Sequence, residues 1–477
     1  MKENVKQNVK ENEKQDEKKT GLKAFLTQDR GGTNFKKIYE KVPEHFYEYA
    51  GFVIVLLMIG LLLVEEIYRL FFDSPKLELY IKFFYLVGAF GEIFSVFYLG
   101  SFIFGKKKET EKYSFKKLLK THIWDLALGL MLFWSVLSTF QADYLDLALK
   151  GTTYRFDGLY TYLVYASMYI CAKAVKSPKL RMWILRANGI MLTLLSLMSI
   201  PQTNFELMLK WGKVGDNLFR YGIYSSIFYN TNHFGYFLTI GILAIAGLVI
   251  LEKKWYEKGI WAILLGFNVW ALIINNTFGS YLGVMFGLIF LSIIILVQDK
   301  ERFRSVLAVL TVFIAVSVAM DAKTHTLSEI FGVTIKESQE ITTNDSAGSG
   351  RIELWKQAIK YIKERPVFGF GPDGLAYRYY DDGFVNERPH NEYLQHAAFL
   401  GIPGATFYLI ALISLFIYCI RRVRKLSPIM LVAGGTVFAY CVSAFFGNTM
   451  YYTTPYYFII LGMLSACHLD FKETESK

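Results

Sequence analysis

Stretches of roughly twenty apolar residues, each long enough to cross about 30 Å of hydrocarbon as a helix, recur about twelve times along the chain. They lie near 48-66, 80-104, 119-140, 158-175, 182-201, 233-251, 259-275, 279-298, 305-321, 398-420, 428-446 and 454-468. Such a pattern predicts an all-α polytopic membrane protein of about 12 transmembrane helices. Composition agrees. Of 477 residues, 53% are hydrophobic and 19% charged, too apolar for a soluble chain of this size.

The loops test the count. "GKKKETEKYSFKK", "KAVKSPKLR", "EKKWYEK", "QDKERFR" and "RRVRK" all fall on the side of the Lys-rich N-terminus if the chain crosses twelve times, with both termini cytoplasmic. The formal charge of +11 is thus read as a topology signal, and no nucleic-acid partner is expected. The start, "MKENVKQNVKENEKQDEKKT", has no apolar core and no cleavage pattern, so it is read as cytoplasmic and disordered rather than as a signal peptide. The expected organisation is a disordered basic tail (1-45), nine membrane helices (46-321), a large extracytoplasmic loop (322-397), three further helices (398-468) and a cytoplasmic tail (469-477). Residues 141-157 and 202-232 are expected on the same outer side. Cys171, Cys419, Cys441 and Cys467 are scattered through apolar runs, which indicates packing residues rather than a metal site or a disulfide framework. No cofactor and no metal are expected.

Function is sought in the large loop. "KESQEITTNDSAGSG" reads as flexible, and "RIELWKQAIKYIKERP" after it carries Ile352, Trp355, Ile359 and Ile362 at helical spacing. Ser349 is placed to cap that helix and Pro366 to end it. A Lys-bearing helix with Trp on its apolar face can lie along the membrane interface, cover a cavity, or simply pack within the loop. Next, "VFGFGPDG" clusters glycines around Pro372, a composition that forces turns and permits close backbone approach.

The order Ser349-Gly350-Arg351, Trp355, Pro366, Gly369, Gly371 and "PHNEYLQHAAFLGIPG" resembles the signature of the O-antigen ligase and polymerase family, bacterial membrane glycosyltransferases of the GT-C type. "YRFDGLYTYLVY" at 154-165 and "RYGIYSSIFYNTNHFGYF" at 220-237 are similar to outer loops of that family, so the likeness covers roughly 150 to 420. One departure is "NTFGSYLG" at 276-283, where many relatives have a Ser-Arg-Gly element. The resemblance implies glycan transfer from undecaprenyl diphosphate to an acceptor hydroxyl, on a glycan, glycolipid or protein, at the outer face of the cytoplasmic membrane, without metal or nucleotide.

The residues supply what such chemistry needs. Diphosphate leaves readily once its charge is neutralised, and arginine donates paired, charge-assisted hydrogen bonds to phosphate oxygens. Arg155, Arg220 and Arg351 lie in the family-like outer segments and are the expected diphosphate clamp, although an arginine at a membrane interface also commonly anchors a helix. The attacking hydroxyl must lose a proton, and His390, at the mouth of an apolar helix, is the expected base; it could instead orient phosphate. Asn391, Trp355 and His233 are expected to support the site, and His396 to be structural. A lipid-linked sugar flippase is the competing reading. Transporters place ionisable groups near the bilayer midplane, and here only Glu92 and Asp125 hint at that.

Overall fold

The computed structural model describes residues 38–39, 41–71, 77–104, 122–153, 155–197, 200, 226, 228, 230–339 and 350–469. Among them there is no strand. In chain order the helices are α1 (Glu44–Phe71), α2 (Leu77–Phe104), α3 (Ile123–Phe140), α4 (Leu145–Lys150), α5 (Leu159–Ala174), α6 (Pro178–Leu197), α7 (Thr231–Leu251) and α8 (Trp255–Asn275). They continue with α9 (Phe278–Gln298), α10 (Phe303–Thr324), α11 (Thr326–Gln339), α12 (Arg351–Glu364), α13 (Ala376–Asp381), α14 (Glu392–Arg421), α15 (Pro428–Ser443) and α16 (Thr454–Ser465).

The protein is an all-α polytopic membrane protein. Among the described residues, ten helices are long and apolar enough to cross a bilayer, and each falls on one of the apolar runs. The runs at 158-175 and 454-468 become α5, of 16 residues, and α16, of 12. Both are short for a straight crossing, and they pack on each other, with α5 also against α2. The central pillar is α7, whose membrane window is 94% buried; it touches α6, α8, α9 and α15. Its apolar residues point in every direction because helices surround it.

Small residues bring α9 and α15 close together. Gly279, Gly283 and Gly287 recur every fourth residue, so they share one face of α9. A Cβ there would meet Phe446, Ser443 and Ala439 respectively, on or just beyond α15. Close approach of this kind is how helices gain contact where lipid removes the hydrophobic incentive to associate.

A second backbone contact shapes the site. Within α14, Gly401 has φ +70° and breaks the helical hydrogen-bond ladder two residues before Pro403. The loop 366–371 inserts there. Phe370 N donates to Ala398 O (3.1 Å), Gly371 N to Phe399 O (2.9 Å), and Ile402 N to Pro366 O (2.8 Å). From α3, Ser138 Oγ adds a bond to Phe399 O at 2.9 Å and Trp134 Nε1 one to Val367 O at 3.0 Å. A Cβ on Gly369 would lie 2.5 Å from Phe399 O. The glycines of "VFGFGPDG" therefore serve backbone-on-backbone packing, and the first turns of α14 are stapled beneath the loop.

Two local expectations are corrected. Gly350 holds the N-cap position of α12, without a side-chain cap, and Ser349, expected to cap it, lies outside the described residues. The helix ends at Glu364, just before Pro366. Its buried face is Leu354, Gln357, Ala358 and Tyr361, because Tyr361 packs into an aromatic layer with Phe370 and Tyr379. Ile359 is exposed, and Ile352, Trp355 and Ile362 are only partly covered. The N-terminal tail, most of 336-350, all of 201-225 and the end of the chain beyond 469 lie outside the described residues.

Candidate functional site

The segments 141-157 and 366-391 meet at one end of the bundle. At their junction Arg388 is completely buried. Its Nη1 donates to Asp157 Oδ2 (3.1 Å) and Thr449 O (2.8 Å), and its Nη2 to Asp373 Oδ1. Asp157 also accepts from Tyr165 Oη (2.8 Å), Gln395 Nε2 (3.2 Å) and Thr449 Oγ1. Asp373 accepts from Thr152 N at 2.6 Å and Thr152 Oγ1 at 3.0 Å. One cation thus joins the loop before α5, the Gly-Pro-Asp-Gly turn and the segment before α16. Burial pushes the Asp157 carboxyl up, with Arg388 opposing. Burial alone would also loosen the Arg388 proton, but Asp373 and Asp157 reverse that and hold the guanidinium firmly charged.

That strut positions the next two residues of functional type. Glu387 pairs with Arg155, Nε to Oε1 at 2.6 Å; burial raises its carboxyl, but Arg155 and Arg388 outweigh burial and hold it below its ordinary value. Arg155 Nη1 also meets His233 Nε2 at 3.2 Å and Met450 Sδ at 3.4 Å. His390 has φ +50°, a left-handed conformation that costs a non-glycine residue energy, so its orientation is imposed by what surrounds it. Asn448 Nδ2 lies 3.3 Å from His390 Nδ1. A half-turn of this amide would present Oδ1 instead, keeping the proton on Nδ1 and the lone pair on Nε2.

His390 is depressed to about 4, first by burial, then by the charges of Arg351 and Arg155, with Glu387 opposing. Arg351, the first residue of α12, acts on His390 and Tyr236 through space. Among the described residues it has no carboxylate partner. A cation at the positive end of a helix is unfavourable by itself, and an anion bound there would relieve it. Trp355 lies one turn along α12 on the Arg351 side, with its indole nitrogen buried and, among the described residues, without a partner.

Of the residues expected from sequence, the structure gathers His390, Arg351, Arg155 and His233. Arg220 lies outside the described residues. Asn391 caps α14, accepting from Tyr393 N and Leu394 N, each at 3.1 Å. Because α14 begins only at Glu392, His390 precedes the helix rather than riding on it. His396 is buried, its Nε2 3.6 Å from Glu392 Oε1, and Glu392 accepts from Tyr408 and Tyr440 hydroxyls at 3.0 and 2.9 Å. Sequence reading passed over Arg388, Asp157, Asp373, Glu387 and Asn448. Two of them carried a signal, a carboxylate directly before glycine in a segment already singled out: Asp157-Gly158 and Asp373-Gly374. Among the described residues no group of three His, Cys, Asp or Glu is placed to hold a metal ion.

The architecture and site define a multi-pass membrane protein with a histidine among arginines under its end loops. A family model described as O-antigen ligase matches residues 261–409, from within α8 to within α14 and including Arg351, Trp355 and His390. That match supports an O-antigen ligase-like, glycosyltransferase-type activity. No curated protein matches the chain.

Proposed function

We propose that the protein transfers a glycan from undecaprenyl diphosphate to an acceptor hydroxyl at the outer face of the cytoplasmic membrane, in cell-surface polysaccharide synthesis. The reading rests above all on His390, set beside Asn448 with Arg351 and Arg155 near enough for their charges to hold its imidazole below the ordinary value. In the reaction the acceptor oxygen attacks the anomeric carbon, the bond from that carbon to phosphate breaks, and His390 takes the acceptor proton. The departing lipid diphosphate keeps the electron pair and is held by arginine. Arg155 is already paired with Glu387, so the uncompensated charge is that of Arg351, which takes the larger share; Arg220 completes the clamp. A base with a value near 4 is weak at neutral pH. Diphosphate bound to Arg351 and Arg155 would cancel the charges that depress it and raise its basicity once donor is in place.

The flippase reading loses ground on Asp125. It sits in the first turn of α3 and pairs with Lys173, with His122 Nδ1 at 3.0 Å and Tyr169 Oη at 2.5 Å, a satisfied cluster near a helix end rather than a bare midplane charge. The deciding experiment reconstitutes the protein in vesicles holding lipid-linked glycan and an acceptor. New glycosidic bonds are expected; movement of the lipid between leaflets with no bond formed would replace the transferase by a flippase.

A further inference from the structure

His233 and Tyr236 lie three residues apart near the start of α7 and share a face. Together with Asn448 they are at least 96% buried, yet among the described residues His233 Nδ1, Tyr236 Oη and, whichever way its amide is turned, one polar atom of Asn448 have no hydrogen-bond partner. Leaving a buried polar group unpaired costs about 1–3 kcal/mol. Their other contacts lead to one place. His233 Nε2 touches Arg155, Asn448 Nδ2 touches His390, and the Tyr236 hydroxyl lies so close over Gly447 that any Cβ there would overlap it. Gly447 is the residue before Asn448, and Tyr236 is within electrostatic reach of Arg351.

We propose that these three side chains form a sugar-hydroxyl subsite beside His390, holding the pyranose that reacts there. A phosphate would call for cations, which the neighbouring arginines supply. The groups with free hydrogen-bonding capacity here are instead a phenol, an amide and a ring nitrogen. They are directional, offer both donors and acceptors, and include an aromatic ring, which matches the adjacent hydroxyls of a sugar. The inference rests on the transferase reading and adds the part of the substrate that the clamp does not touch. The reacting sugar is either the first of the donor glycan or the last of the acceptor.

Tyr236→Phe tests it cleanly, since the hydroxyl removed has no partner among the described residues. Thermal stability should stay level or rise. Binding is measured with two probes, bare undecaprenyl diphosphate and undecaprenyl-diphosphate-linked glycan purified from cells that make the protein, and initial rates are measured at varied donor and varied acceptor. We expect unchanged affinity for the bare lipid and an apparent KM raised about two- to tenfold, the worth of one neutral hydrogen bond. A rise for donor alone, matched by weaker glycan-lipid binding, assigns the subsite to the donor sugar; a rise for acceptor alone assigns it to the acceptor sugar. Wild-type values throughout, or equal losses for both lipids, would overturn the subsite while leaving the transferase intact. Wild-type protein that binds neither lipid would refute the transferase reading itself, and the subsite with it.

Discussion

Replacing Arg388 by Met removes the one cation that, among the described residues, pairs with two carboxylates buried to within 1% of full coverage. Breaking a buried ion pair by deleting one partner costs about 3–5 kcal/mol. Here both Asp157 and Asp373 lose their counter-charge, and Thr449 O loses its donor, so the upper end, about 5 kcal/mol, is expected. Without Arg388 opposing burial, the Asp157 carboxyl would titrate further above its unfolded value of about 3.9. The folded variant then binds more protons than its unfolded chain, and its stability falls as pH rises. Denaturant unfolding in mixed micelles should therefore show a larger deficit at pH 8 than at pH 5. Adding Asp157→Asn and Asp373→Asn should recover most of it, because neutral amides need no cation. A deficit below about 1 kcal/mol, or one equal at the two pH values, would refute the claim that this charged cluster holds the loops together.

Other outcomes follow from the same geometry. Gly401→Ala, at φ +70° and with Val367 O against the new Cβ, should destabilise by more than about 1 kcal/mol and lower transfer by releasing the loop that carries the site; a thermally unchanged variant would contradict the backbone packing described. The acid limb of kcat/KM, which reports the free enzyme, should lie near pH 4 rather than 6.5, since His390 stays neutral above about 4; the limb of kcat should lie higher, because bound diphosphate raises the imidazole. A common limb at 6.5 would remove the arginines from its neighbourhood. Arg351→Lys keeps the charge but loses the planar fork, so donor binding should weaken with expression intact, and normal donor affinity would leave Arg351 an interfacial anchor.

The membrane helices were legible because hydrocarbon thickness sets a length that composition cannot hide. The meeting of the polar loop segments was partly legible: the family-like stretches around Arg155, Arg351 and His390 do converge. Arg388 was not, although it stands in "RPHNEYLQH", because its value comes from Asp157, 231 positions away, and no local pattern announces such a partner. The α12 face was misread for a related reason. Hydropathy favoured Ile359 and Trp355, whereas burial is decided by Phe370 and Tyr379 closing on Tyr361. The strain at His390 and the break at Gly401 are backbone facts that residue type alone does not disclose.

The central claim is that His390 takes the acceptor proton, and the most direct measurement is glycan transfer by purified His390→Ala protein given lipid-linked donor and acceptor, with donor binding followed in parallel. Loss of a positioned base lowers rates about 10²- to 10⁴-fold. The account predicts a fall of that size with donor still bound, since Arg351 and Arg155 are untouched. Transfer at the wild-type rate would contradict it and reduce His390 to a residue that shapes the loop before α14.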